Sequence, residues 1–76
     1  MITMKPVRLV NTTEGHRKFW AVEVVGRKAL CSWGRIGTWI QSKEFQFDSA
    51  DAAIDFACKK AQSKLGKGYR WAPQVS

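Results

Sequence analysis

At 76 residues the chain has room for one domain, residues 1–76, and its 45% hydrophobic and 12% aromatic content marks a folded domain, not a disordered tail. Thirteen Lys and Arg against six Asp and Glu give a net charge of +7, which favours a polyanionic partner, nucleic acid before an anionic membrane surface. No run reaches the ~18–20 apolar residues of a membrane span, and the amino-terminal apolar stretch is broken by Lys5, Pro6 and Arg8, so neither a span nor a secretory signal is expected and a cytoplasmic protein is.

Val7, Leu9 and Val10 form a β-prone stretch after Pro6 that ends in the polar turn cluster Asn11-Thr12-Thr13-Glu14-Gly15. Lys18 to Val25 is the strongest strand signal, with Trp20, Val22 and Val24 on one face and Phe19, Ala21 and Glu23 on the other. Gly26-Arg27 connects it tightly to Lys28-Ala29-Leu30-Cys31-Ser32-Trp33, which makes a hairpin. Gly34 and Gly37 bracket Arg35-Ile36 and imply a bulge or sharp bend. A further strand, about Thr38 to Phe47, puts Trp39, Gln41, Lys43, Phe45 and Phe47 on one side.

The period then changes. Asp48 or Ser49 caps a helix whose Ala53, Phe56, Ala57, Ala61 and Leu65 recur on one stripe, with Phe56 expected as its main anchor on the sheet. Asp51 and Asp55 lie early and Lys59, Lys60 and Lys64 late, which suits the helix dipole. Gly66 or Gly68 ends the helix. Tyr69 to Ala72 reads as a short returning strand before Pro73. These elements predict an α+β domain: an antiparallel sheet of four to five strands with one amphipathic helix packed on one face.

Catalytic patterns are absent. No paired carboxylates flank a motif, and neither a GxxxxGKS/T phosphate loop nor a GxSxG elbow is present. Cys31 and Cys58, with the lone His16, do not have metal-site spacing, so no cofactor is expected; both thiols read as small buried hydrophobes in a reducing compartment, and His16 as a turn residue. A Cys58–His16 nucleophile is compatible with the spacing, since such pairs meet only in the fold, and Cys58 on a sheet-packed helix speaks against it. No enzyme and no small-molecule substrate are expected.

The informative segment is Trp33-Gly34-Arg35-Ile36-Gly37-Thr38. An indole can stack on a base or pack on a sugar, a guanidinium makes paired hydrogen bonds to phosphate, and the glycines let a nucleic-acid backbone approach. The plain alternative makes Trp33 a core residue and Arg35 a solvated turn residue. The series Lys59, Lys60, Lys64, Lys67, Arg70 runs without an intervening acid. It is a solvated helix end, one wall of a phosphate-tracking groove, or both.

Trp33-Gly34-Arg35-Ile36-Gly37 resembles the signature of WGR domains, known from eukaryotic poly(ADP-ribose) polymerases and from bacterial proteins. Phe19 and Trp20 before it, Ser42-Lys43 after it, Phe47 ahead of the helix and the ending Lys64-x-Gly66-x-x-Tyr69 extend the resemblance over roughly Val7 to Trp71. The resemblance implies contact with a DNA end, with Trp33 packing on a terminal sugar or base and Arg35 and Lys64 holding nearby backbone. In the polymerases the motif arginine also serves contacts between domains. No polymerase catalytic region is present, so no ADP-ribosyl transfer is implied. Trp39-Ile40 is bulkier than the small residues several family members carry after the motif, and Trp39 either extends a stacking platform or closes a dimer interface.

The expected function is a non-catalytic nucleic-acid-binding module, for DNA before RNA and for strand ends or nicks as a finer reading. Its candidate contacts are Trp33, Gly34, Arg35, Trp39, Lys43, Lys64, Lys67 and Arg70. The rival is a protein-interaction adaptor that docks an enzyme or a second copy through its aromatic patch.

Overall fold

The computed structural model describes residues 3–12, 15 and 17–72. Strands β1 (Thr3–Asn11), β2 (Lys18–Val25), β3 (Lys28–Arg35) and β4 (Ile40–Gln46) are followed by helix α1 (Ala50–Gly66) and the two-residue strand β5 (Arg70–Trp71). They form one antiparallel sheet in the order β4-β3-β2-β1-β5. The expected α+β class, strand count and single helix are all present. His16 and Pro73 lie outside the described residues.

The hairpin sets the register of β2 against β3. Gly26, at φ 62, makes a turn that closes Val25 onto Lys28, and counting outward pairs Trp20 with Trp33 and Lys18 with Arg35. The observed β4 is shorter than the expected Thr38 to Phe47. Thr38 is taken into a turn, where its amide and hydroxyl both donate to the Arg35 carbonyl at 3.1 and 2.8 Å. At the far end the Phe47 amide donates to the Arg27 carbonyl.

The helix covers one face only. Leu9, Trp20, Val22, Val24, Ala29 and Cys31 come from the sheet, Ala53, Ala57 and Ala61 from α1, and these nine form the core cluster. Small side chains on the buried stripe let the helix axis come close to the sheet, so the strands supply most of the apolar volume. Phe56 is therefore not the central anchor. It lies half-buried at the flank of the stripe, its ring centroid 4.9 Å from that of Phe45 and 5.1 Å from that of Phe47. Ser49 caps the helix by accepting the Ala52 amide at its hydroxyl. Gly66 is the last helical residue, and Gly68, at φ 99, turns the chain into β5.

The cysteines divide. Cys31 is buried as expected, and burial pushes its thiol pKa up against the pull of Lys60 and Lys64. Cys58 is exposed, because its position on α1 falls away from the alanine stripe that faces the sheet. No helix among the described residues is long and apolar enough to cross a membrane.

Candidate nucleic-acid interface

Three segments meet at the end of the sheet where β2 begins and β3 finishes: the start of β2, the Trp33-Gly34-Arg35 end of β3 and the last turn of α1. They enclose a cavity of ≈ 420 Å³. Among the described lining residues, Trp33, Phe19 and Tyr69 supply aromatic surface, Arg17, Lys18, Arg35 and Lys64 supply cations, and Gly15 and Gly34 are the others. No carboxylate stands among the described lining residues.

Each side chain is held by a local cause. Trp33 pairs with Trp20 on the helix side of the sheet, so one edge packs on the core while the rest, half-buried, faces the cavity. The core reading and the ligand reading of this indole are thus compatible. Arg35 is exposed at the strand end, anchored through its carbonyl to Thr38 and through the next amide, Ile36, which donates to the Arg17 carbonyl at 2.7 Å. The Tyr69 amide donates to the Lys64 carbonyl at 3.1 Å, and the Lys64 ammonium lies 5.5 Å from the Tyr69 ring centroid.

Lys64 is the electrostatic centre of the cavity. Partial burial, then the like charges of Lys67, Lys60 and Lys18, hold its pKa below the ordinary lysine value, with a small opposing pull from Cys31. A cation that is both desolvated and surrounded by cations gains from an arriving anion more than a solvated one does.

Gly34 has a different reason from the one its sequence context suggests. A Cβ there would stand 2.8 Å from the Trp39 carbonyl oxygen and 3.5 Å from Phe19. The glycine makes room for the chain's own backbone as β4 begins. Gly37, at φ 88, is the residue whose conformation needs a glycine in the turn.

The other candidates fall elsewhere. Trp39 is 88% exposed on the β3–β4 connection, beside Ile40 at 61%. Lys43 projects from the helix side of β4, its ammonium 5.2 Å from the Phe45 ring centroid. Lys67 caps the helix, and exposed Arg70 pairs with Val10 in the sheet. A second cavity, ≈ 320 Å³, includes Arg8, Phe19, Arg35, Ile36 and Ile40 in its lining, so Arg35 borders both. Arg17 and Lys18 were missed as site residues, although the Gly26-Arg27 turn carries the signal: the register it sets brings Lys18 opposite Arg35.

The sequence profile of the WGR domain family matches residues 6–75. Protein YehF of Escherichia coli (strain K12) is 41% identical over 56 residues, which is 74% of this chain and 20% of YehF. A crystal structure of a Bacteroides fragilis protein superposes with a TM-score of 0.84 at 29% identity, covering 90% of this chain and 19% of that one. The chain spans about a fifth of the length of each of these two relatives.

Proposed function

Since the chain belongs to the WGR domain family, we propose that it is a non-catalytic nucleic-acid-binding module for DNA in preference to RNA, acting in the cytoplasm and recognising strand ends or nicks. The observation that carries this reading is the cavity in which Trp33 and Tyr69 stand among Arg17, Lys18, Arg35 and Lys64. An aromatic wall with cations on its rim suits a terminal sugar or base with its phosphate. Trp33 covers the terminal sugar, Arg35 and Lys64 hold phosphate, and the exposed Lys67 and Arg70 add to the surrounding positive field.

The test is a binding titration over blunt, nicked and single-stranded DNA and RNA at two salt concentrations. Folded Trp33→Ala is expected to lose ~1–3 kcal/mol of binding, the scale of one aromatic platform, with the largest loss on substrates that have a terminus. Closed circular DNA competing as well as linear fragments of matched length would sink the end-recognition part. A second reading, docking of a protein partner, is favoured by the exposed Trp39 and Ile40. Salt separates the two, since an apolar contact hardly responds to it.

A further inference from the structure

Helix α1 carries the chain from β4 at one edge of the sheet to β5 at the other, so its axis crosses the strands diagonally. It packs on β1, β2 and β3, and beyond Phe45 the helix side of β4 is left open, with Gln41 and Lys43 exposed. A groove results. Its wall is the flank of α1 on which Phe56, Lys60 and Lys64 follow at four-residue intervals. Its floor is Gln41, Lys43 and Phe45 of the edge strand β4, which share the helix side because they pair with Trp33, Cys31 and Ala29, and the side beyond β4 is open. Phe56 against Phe45 closes the narrow end, and at Lys64 the wide end runs into the Trp33 cavity. From Phe56 to Lys64 the helix advances about 12 Å.

We infer that this groove holds the single-stranded extension of one strand of a nucleic-acid end while the terminus of the recessed strand occupies the Trp33 cavity; the inference rests on the end-binding reading above. Charge complementarity points to a polyanion. Lys43 stands on the β4 side and Lys60 and Lys64 on the helix side, and the carboxylate Asp55 next to Phe56 on α1 is engaged by Lys59 at 3.0 Å. The like charges of Lys60 and Lys67 lower the pKa of Lys64 further than burial alone, and phosphates would relieve that repulsion.

The rings favour a nucleic-acid strand over an acidic peptide. Lys43 lies 5.2 Å from the Phe45 centroid, Lys60 5.8 Å from Phe56 and Lys64 5.5 Å from Tyr69. Each pair sets an ammonium, for a phosphate, beside apolar ring surface for the attached base or sugar. Cation–ring contacts at exposed sites are weak, so a phosphate draws the ammonium away at little cost and uncovers the ring. At the ~3.4 Å spacing of stacked nucleotides the track takes about three to four of them.

Fluorescence anisotropy with a blunt duplex and with overhangs of graded length tests the inference. Affinity should rise with overhang length, level off at about three to four nucleotides, and gain roughly tenfold in all, the value of about one well-stacked base. The gain should appear for one polarity only, because the cavity covers the end of one strand and leaves the other to run on. Lys60→Gln should abolish the gain while lowering blunt-duplex affinity no more than Lys28→Gln, a charge-matched change on the opposite face of the sheet. Overhangs that bind like the blunt duplex, with the blunt duplex itself bound, would overturn the groove and leave the end cavity standing. A gain abolished equally by Lys28→Gln would overturn it in favour of bulk charge, and an acidic peptide bound where overhangs add nothing would reassign the groove to a protein partner. Loss of the preference for linear over closed circular DNA would instead remove the end-binding reading beneath it.

Discussion

Gly34 shows how much one missing methyl decides. Alanine there would set its Cβ 2.8 Å from the Trp39 carbonyl, a backbone atom that cannot swing aside. Gly34→Ala should cost ~1–3 kcal/mol by overpacking, read as a lower midpoint in urea denaturation. Lys64 shows what charge decides. Its pKa is depressed by burial and by neighbouring lysines, whereas a bound phosphate favours the ammonium. Binding should therefore take up a proton above the depressed value, and affinity for terminated DNA should fall as pH rises through it. Lys64→Arg stays charged across that range and should hold its affinity to higher pH in the same titration.

The helix was legible as a helix from its cap, its alanine spacing and its charge gradient, and Ser49, Ala53, Ala57 and Ala61 stand as those signals imply. The rank of Phe56 was not legible, because periodicity gives an angle around the axis and not the distance to the sheet. Half-buried between Phe45 and Phe47, it should cost about 2–3 kcal/mol on truncation to Ala, at or below the bottom of the usual range for a buried ring. Ser49→Ala removes the cap and should cost about 1 kcal/mol. Thermal unfolding ranks the two, and a larger loss at Ser49 would mean that the aromatic flank contributes little.

At the scale of the whole molecule, the net charge of +7 predicts binding dominated by counterion release. With about three to five phosphates neutralised, log affinity should fall against log salt with a slope of roughly −3 to −4. Replacing Arg35 or Lys64 by glutamine should reduce that slope by about one unit each. A flat response would favour the exposed Trp39 and Ile40 as a docking patch over the basic cavity.

Taken alone, the chain's alternating Trp20, Val22 and Val24, its Gly26-Arg27 turn and its capped alanine stripe determined an antiparallel sheet with one covering helix, since these are local patterns that constrain the backbone at each residue. The Trp33-Gly34-Arg35 string likewise pointed to its family before any packing was known. Only the tertiary structure decided which basic residues lie together. Lys64 reaches Trp33 while Lys67, three residues on, caps the helix, and Arg17 and Lys18 join the same cavity from the far side of the hairpin. That division depends on the diagonal path of α1 and on strand register. Both are set by contacts between residues far apart in the chain, which spacing along it does not record.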